Sequence, residues 1–492
     1  MKLTTFDLTP TLKIILLFAT LTVTSIQAEE AANYPESYHQ DESSFMGLLS
    51  HLGLHNLEDE SWNAYIQGTY ISQWQPAFSA AYTNLNGSPN SLLPIAQNSF
   101  TATVTPYLSL RLWKGAAFYA APEMISELPL SNLKGLGGEI QNFELQKTGS
   151  EHSTWYLGRS YYRQSISFGG TSTQVTSAPL QLGGTTDSRR FVFSAGRLSV
   201  LDIFDKNTYA GDLRHQFFNM AFMANSAYDF AADARGYSNG LAGELYFDNW
   251  ALRLARFDVP TIPNGLSLYY NLFAHYGDQV EVEHKHVIKG RPGAIKLLGY
   301  RNLVNAGKFS DAIAIYQANP AKNATTCTSP GYSSQNASSP GLCWARETNT
   351  KVGIGLNMEQ SITEDIGTFF RGMYSDGKTE ADNYTSADRS LSFGAAMRGN
   401  RWGRQKDSLG LGYAQSMLSS SHIQFLSMGG VDQFVGDGAI DYKPERVVDI
   451  YYQLHFISST WLSADYQHIT NPGYNAARGP VDVYGLRIHL EF

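Results

Sequence analysis

The chain has 492 residues and a formal net charge of −8, which excludes a typical nucleic-acid-binding protein because such proteins are usually basic. Hydrophobic residues make up 43% of it, yet no apolar run is long enough to span a bilayer as a helix. Charged residues, at 16%, lie below the soluble average of about 25%, while tyrosine, phenylalanine and glycine are abundant. This composition is typical of outer-membrane β-barrels, whose strands alternate lipid-facing apolar residues with polar lumen residues.

The chain begins with the pattern of a secretory signal peptide. Two lysines precede a short apolar segment, residues 14–23, and small or polar residues follow it up to Ala28. The segment is too short to remain as an anchor, so we predict that residues 1–28 are a signal peptide cleaved after Ala28. Residues 29–60 are acidic and mixed, with helical spacing from Phe45 to Leu54. We predict a mobile N-terminal periplasmic extension, with a lumen plug as the alternative.

Alternating segments that turn back on themselves follow this extension. Leu241 to Phe247 and Trp250 to Ala255 each alternate between apolar and polar residues, and Asp248-Asn249 makes a tight turn between them. Similar turns are predicted at Lys114-Gly115 and Ser458-Ser459. Strands joined by two-residue turns form hairpins, and short turns are typical of the periplasmic side of an outer-membrane barrel.

One stretch, residues 286–318, departs from this alternation. Its apolar residues have helical spacing, which predicts a short helical insertion. They are Ala306, Phe309, Ala312, Ile313 and Tyr316.

Both cysteines, Cys327 and Cys343, flank or lie within a stretch rich in Ser, Pro, Gly and Asn. In an oxidising compartment, and with no other thiol in the chain, they are predicted to form a disulfide that closes a long loop. Two unpaired loop thiols are the alternative.

The last strand has one apolar and one polar face. Leu486 and Ile488 share the apolar face with the terminal Phe492, whereas Arg487 and His489 share the polar one. A strand with these two faces that ends in an aromatic residue is typical of the closing strand of an outer-membrane barrel. At roughly 27 residues per strand with its loop, residues 61–492 accommodate about 16 strands, or up to 18. The predicted fold is therefore all-β, a transmembrane antiparallel β-barrel of the outer-membrane porin type.

Several blocks of the sequence then combine into a family pattern. They are Ser194–Arg197, Ser199–Asn207 with Tyr209, Asp212, Arg214, Phe217 and Asn219, Tyr228–Asp233 with Gly236-Tyr237, Gly290–Gly293 and Asn471–Gly473. In these blocks the chain resembles the carbohydrate-selective porin family of the OprB type, and the likeness extends from Tyr65 to Phe492. The resemblance implies a 16-stranded outer-membrane barrel that lets sugars diffuse into the periplasm. The insertion around the two cysteines matches no motif of that family.

A sugar channel needs aromatic faces for the apolar side of a sugar ring and charged groups that hydrogen-bond its hydroxyls. Strand alternation and position nominate pore-lining or substrate-binding candidates. They are Arg111, Trp113, Glu123, Glu127, Arg159, Tyr161, Arg163, Asp212, Arg214, Asp233, Arg235, Glu244 and Arg253, with Tyr246 beside them. The alternative for each is a structural ion pair that holds the wall or an inward loop. Because the set contains both signs, it favours neutral solutes over an anion pore.

The sequence therefore predicts an outer-membrane porin for passive, weakly selective diffusion of small neutral carbohydrates into the periplasm of a Gram-negative bacterium. An outer-membrane barrel hydrolase and an exopolysaccharide-export channel are the alternatives. No catalytic residue, cofactor or metal is predicted, since the His and Glu residues at 281–286 and the aspartates at 432–441 lack the spacing of known metal motifs. The expected partners are small carbohydrates, outer-membrane lipid and lipopolysaccharide, and the barrel-assembly machinery through the C-terminal strand.

Overall fold

The computed structural model describes residues 44–146, 150–323, 338–383 and 385–492. The predicted signal peptide lies outside these ranges, as does Cys327 of the predicted disulfide. No helix within the described ranges is long and apolar enough to cross a bilayer.

Sixteen antiparallel strands follow one another in chain order around a closed barrel, and the pairing of the first strand with the last seals it. Strand number and closure agree with the sequence prediction. The strands are β1 (Trp62–Gln75), β2 (Gln97–Trp113), β3 (Ala116–Leu128), β4 (Thr154–Val175), β5 (Gly184–Leu198), β6 (Ser238–Phe247), β7 (Trp250–Phe257), β8 (Tyr276–Ile288), β9 (Arg291–Gly307), β10 (Arg346–Ser361), β11 (Ile366–Ser375), β12 (Arg389–Gly399), β13 (Arg404–Met417), β14 (Glu445–Ile457), β15 (Thr460–Thr470) and β16 (Val481–Glu491).

The two ends of the barrel differ in the length of their connections. At the short-turn end the strands are joined by brief connections, and the predicted turns at 114–115, 248–249 and 458–459 all lie there. At the other end, which we name the long-loop end, the two longest connections are residues 199–237 and 308–345. An outer-membrane barrel has this asymmetry, with long loops on one side only.

Alternation along each strand divides the wall into an outer apolar face and an inner polar face. On β16, Leu486 is 65% and Ile488 46% exposed on the outside, whereas Arg487 and His489 are buried on the inside. Aromatic residues such as Trp74, which stacks on Tyr484 at 5.6 Å between ring centroids, lie near the ends of the outer face. This is the predicted two-sided wall with aromatic belts.

Helices occur in the N-terminal segment and in two long connections. They are α1 (Phe45–His51), α2 (Phe309–Ala318), α3 (Pro320–Asn323) and α4 (Ser420–Ser427).

The helix predicted within residues 286–318 is α2, but it is shorter than expected. Residues 286–307 belong almost entirely to the β8–β9 hairpin, and Ala306, which has helical spacing, is buried near the end of β9. Phe309 and Ala312 are buried on α2 as predicted. The apolar end of β9 runs directly into the amphipathic helix α2, so the two form one continuous apolar pattern. Spacing alone therefore predicted the start of the helix too early in the chain.

The N-terminal helix α1 lies against the inner wall near the short-turn end. Met46 is buried against Tyr65 and Tyr107, which are inward residues of β1 and β2. Of the apolar residues whose spacing predicted this helix, only Leu49 packs on this cluster, and the others are exposed. The exposed ones are Phe45, Leu48, Leu52 and Leu54. A helix therefore lies where the spacing indicated one, and Met46 contributes most of its buried surface.

Residues 199–237, which we name the lumen loop, fold into the barrel and form a hydrophobic core there. Phe217 of the loop packs on Phe222 of the same loop, with 4.7 Å between ring centroids. It also contacts Phe369 of β11 at 5.6 Å and Tyr451 of β14 at 4.9 Å. Since the loop leaves from β5 and reaches β14, it crosses the interior and narrows it.

Candidate functional site

The lumen loop is fixed to the wall by a buried ion pair at its turn. Asp205, whose φ of 57° lies in the left-handed region, pairs with Arg371 of β11 at 3.2 Å, and both side chains are fully buried. Its carboxylate also accepts hydrogen bonds from the Asn225 backbone N–H at 2.6 Å and from Asn357 Nδ2 at 2.7 Å. These bonds satisfy a buried charge that would otherwise be costly.

A second set of bonds ties the loop to the far wall. Arg487 of β16 donates from Nη1 to the carbonyl of Leu213 at 2.9 Å and from Nη2 to that of Gln216 at 3.0 Å. Asn219 donates to Gln467 Oε1 on β15 at 2.9 Å. The loop is thus anchored on both sides of the barrel interior. We name the part of the interior that the loop leaves open the passage.

The near side of that passage is built by Arg159 and Asp202. Arg159 of β4 holds both carboxylate oxygens of Asp202 at 2.7 Å, the bidentate geometry that arginine favours. Burial raises the pKa of Asp202, but the ion pair outweighs it and the net pKa lies below the usual value. Asp202 therefore stays ionised, and its two hydrogen bonds to Arg159 fix this side of the passage.

Arginine and tyrosine side chains alternate along the inner wall and form what we name the Arg–Tyr ladder. Tyr119 and Tyr161 stack with 5.1 Å between their centroids, and Arg163 lies 5.4 Å and 5.3 Å from the two rings. Arg190 lies 3.9 Å from the ring centroid of Tyr246. The expected aromatic faces are therefore covered by guanidinium groups, which are attracted to them by cation–π interaction.

A cluster of carboxylates continues the wall around Arg253. Its guanidinium pairs with Glu244 at 3.3 Å, Glu281 at 2.7 Å and Glu283 at 2.5 Å. Tyr246 donates its hydroxyl to Glu244 at 2.6 Å. Glu281 and Glu283 face inward to Arg253, while His284 lies beside Trp250, so these residues do not converge on a metal.

Lys206 of the lumen loop stands opposite this wall and is exposed to lumen water. Desolvation by the surrounding protein lowers the pKa of Lys206. On the facing wall, the charge of Glu244 raises that pKa and the charge of Arg253 lowers it, and the net pKa lies below the usual value. Its own carbonyl accepts a hydrogen bond from Lys296 Nζ at 2.5 Å, which holds this part of the loop in place.

Some of the positive side chains along the passage form ion pairs with carboxylates and others do not. Across the described ranges of the chain, Arg163, Arg190 and Lys206 have no carboxylate within 4.0 Å, whereas Arg159 and Arg253 are ion-paired. The sequence predicted a mixed lining. Both signs are present: Glu244 and Asp202 act electrostatically on Lys206, although neither forms an ion pair with it.

Two predicted lining residues have other roles. Arg111 faces inward but donates to the carbonyls of Glu60 at 2.6 Å and Gly183 at 3.0 Å, so it holds the N-terminal segment. The prediction for Trp113 is wrong, because a register shift between Arg111 and Trp113 reverses the alternation. Trp113 is 58% exposed on the outer face and donates to Gln164 at 3.0 Å.

Four other candidates are structural. Glu123 is buried in the wall, where it accepts hydrogen bonds from Thr105 at 3.0 Å and from Tyr156, and Glu127 is fully buried. Asp212 caps its own turn by accepting the N–H of Arg214 at 2.8 Å. Arg214 pairs with Glu144 of the β3–β4 connection.

Asp233 and Arg235 close the far end of the lumen loop. Asp233 accepts the backbone N–H groups of Arg235 at 2.9 Å and Tyr237 at 3.2 Å, and it pairs with Arg197 at 2.5 Å. Arg235 lies 4.6 Å from the ring centroid of Tyr156. The structure places Arg159, Tyr161, Arg163, Glu244 and Arg253 on the inner face of the wall, and their role towards a solute stays a prediction.

Tyr119, Arg190 and Lys206 were missed. Alternation within β3 and β5 places the first two on the inner face, so a complete strand assignment would have found them. Lys206 lies in a loop, where no periodicity indicates which way a side chain points.

Comparison with known proteins agrees with this architecture. The structure of Pseudomonas putida OprB at high pH superimposes with a TM-score of 0.65 at 15% identity, covering 94% of this chain and 100% of that chain. The low-pH structure of the same protein gives 0.48 at 12% identity, covering 92% and 99%. A mutant of the porin from Rhodopseudomonas blastica gives 0.40 at 9%, covering 88% and 100%. No curated protein matched the chain.

A family model gives the stronger result. The model described as carbohydrate-selective porin, OprB family, matches residues 97–492, which include the whole passage and all strands except β1. The chain therefore belongs to the OprB family of carbohydrate-selective porins.

Proposed function

We propose that this outer-membrane channel serves the passive, weakly selective diffusion of small neutral carbohydrates, both monosaccharides and short oligosaccharides, into the periplasm. Its family supports a sugar porin and a channel rather than an enzyme. The observation that carries the finer proposal is the Arg–Tyr ladder on the inner wall, with Arg163 beside Tyr161 and Arg190 beside Tyr246. Contacts with lipopolysaccharide and with the barrel-assembly machinery stay predictions.

The ladder supplies the chemistry that a sugar requires. A guanidinium offers several N–H donors in a fixed plane, and sugar hydroxyls accept them. Arg163 is held in place by Tyr119 and Tyr161, so little conformational entropy is lost when it binds. Binding stays weak because the groups are also solvated, and a channel must release what it binds.

Conductance through single channels in a planar bilayer tests the proposal. Added glucose or maltose should reduce the ion current in a saturable manner, because a bound sugar occupies the passage. Liposomes that contain the protein should also swell in those sugars. A current that sugars leave unchanged, together with no swelling, would contradict sugar diffusion but not the barrel.

An acidic saccharide is a second candidate solute, since Arg163, Arg190 and Lys206 have no carboxylate within 4.0 Å among the described residues. Export of a long acidic polymer is less well supported, because the lumen loop fills much of the interior. The same swelling assay with a neutral sugar and its uronic acid separates the two solutes. Faster entry of the acid would favour the second candidate.

A further inference from the structure

Two histidines and a glutamate converge where the lumen loop meets the end of β16. His215 belongs to the loop, and His489 and Glu491 are successive inward residues of the strand. One ligand atom from each residue lies within 4.8 Å of the others. His489 Nε2 is 3.0 Å and His215 Nε2 3.7 Å from the same oxygen, Glu491 Oε1.

Each histidine is oriented through its other ring nitrogen. His215 Nδ1 lies 3.0 Å from a carboxylate oxygen of Asp212, and His489 Nδ1 lies 2.8 Å from the hydroxyl of Thr69. Both Nε2 atoms therefore point towards Glu491. Metal-binding histidines are usually held in this way, with one nitrogen on an outer carboxylate or other polar group and the other nitrogen on the ion.

The spacing suits a small transition-metal ion. Bonds of about 2.0–2.2 Å to nitrogen and oxygen place tetrahedral ligands roughly 3.3–3.6 Å apart. The distances of 3.0 Å and 3.7 Å to Glu491 lie on either side of that range, and the two histidine nitrogens lie within 4.8 Å of each other, so a small inward movement of the histidines completes the geometry. Two imidazoles and one carboxylate form a ligand set that Zn²⁺ accepts, with water completing the shell.

The local charge also permits a cation. Arg487 is the nearby positive charge that disfavours binding of a cation. The charge of Arg214 is neutralised by Glu144. Asp212 and Glu491 contribute two negative charges against the one of Arg487, which leaves −1 before an ion binds. The Glu491 side chain is 13% exposed near the short-turn end, so an ion can enter from water.

We propose that His215, His489 and Glu491 form a site for one divalent transition-metal ion, and that the bound ion fastens the lumen loop to the last strand. The site joins residues far apart in the chain, so the ion acts as a cross-link within the folded barrel. Zn²⁺ is the probe of choice, because it has no redox chemistry to complicate binding.

Calorimetric titration of the chelator-treated full protein in detergent tests the site. One Zn²⁺ should bind per chain and raise the unfolding temperature, since a ligand of the folded state stabilises it. His489→Gln and His215→Gln should each weaken binding more than about tenfold, and Asp212→Asn by about tenfold through loss of orientation. Co²⁺ should give visible absorption bands of a low-coordinate nitrogen–oxygen site in the wild type alone.

His468 provides a matched control. Its Nδ1 lies 2.8 Å from Asp482, which makes it a histidine–carboxylate pair between β15 and β16. Among the described residues it belongs to no group of three metal-ligating side chains. His468→Gln should leave Zn²⁺ binding unchanged. The proposal is overturned if no saturable binding is seen, or if the His215 and His489 variants, shown to be folded by their heat-modifiable gel mobility, bind Zn²⁺ as the wild type does.

Discussion

Arg189 and Arg190 are neighbours in β5 with opposite surroundings. Arg190 faces the lumen, where its guanidinium lies 3.9 Å from the ring centroid of Tyr246. Arg189 points outward and pairs with Asp248 at 2.8 Å beside Phe247. The same strand therefore carries one arginine on the inner face and one on the outer face of the barrel, and the outer one can serve as a control for the inner one.

We expect Arg190→Gln to weaken sugar binding about tenfold. A hydrogen bond from a charged group contributes about 1.5–3 kcal/mol, and 1.4 kcal/mol corresponds to a factor of ten. The measurement is the sugar concentration that halves the single-channel current. Arg189→Gln should leave that concentration unchanged. Equal effects of the two substitutions would contradict a lining role for Arg190.

Strand alternation predicts single residues only while the register is unbroken. It placed Arg159, Tyr161 and Arg163 on the inner face correctly. It failed at Trp113, because the irregularity at the β2–β3 turn changes the face and leaves no mark in the pattern of residue types. A bulge depends on pairing with the neighbouring strand, which a single sequence segment does not contain.

Helix α4 is held by a histidine between two aspartates. His422 Nδ1 lies 3.1 Å from Asp388 and its Nε2 lies 3.2 Å from Asp432, while its ring stacks on Phe309 at 4.0 Å. Burial lowers the pKa of His422, but the two carboxylates outweigh it and raise the pKa from 6.5 to about 9. The protonated histidine therefore clamps α4 to α2 and to the β11–β12 connection.

The clamp should weaken in alkaline solution. Because the folded pKa is raised, the stabilisation is complete below about pH 6.5 and is lost as the pH rises through about 9. The shift corresponds to about 3 kcal/mol at most. A fluorescent label at the exposed Gln424, introduced by Gln424→Cys, should report α4 opening above pH 9. His422→Gln should remove the pH dependence, and an unchanged profile in that variant would contradict the role of the histidine.

The ion pair of Asp205 and Arg371 should be essential to the shape of the lumen loop. Arg371→Met leaves a buried carboxylate without its countercharge, which costs about 3–5 kcal/mol. We expect a lower unfolding temperature and a noisier open-channel current. Adding Asp205→Asn should recover part of the loss, since the uncompensated charge is then removed. A double variant as unstable as the sum of both single variants would contradict this account.

Within the described ranges of the chain, the lining includes three cations that have no carboxylate within 4.0 Å. We expect the channel to prefer anions weakly, because Arg163, Arg190 and Lys206 raise the local concentration of anions. The reversal potential in a KCl gradient should show a small preference for Cl⁻. Replacing all three residues with glutamine should abolish it. A preference for K⁺ in the unchanged protein would contradict the charge assignment.

The architecture of the barrel could be predicted, whereas its interior could not. Strand alternation, short turns and an aromatic C-terminus are local patterns. They predicted about 16 to 18 strands and the outer face of β16, and the family resemblance implied the sixteen that are observed. The core around Phe217 is built from a loop, β11 and β14, which lie far apart in the sequence. Contacts of that kind have no period, so a single sequence does not indicate them.

The bonds of the lumen loop to β14, β15 and β16 have a consequence for biogenesis. The ribosome makes residues 199–237 long before Tyr451, Gln467 and Arg487, on which the loop depends for its final position. A wall that still lacks its last three strands can hold the lumen loop only through earlier strands, by Arg159 of β4, Asn357 of β10 and Arg371 of β11. The lumen loop therefore narrows the pore to its final width only when the barrel closes. The size limit for solutes is established in the same step as closure.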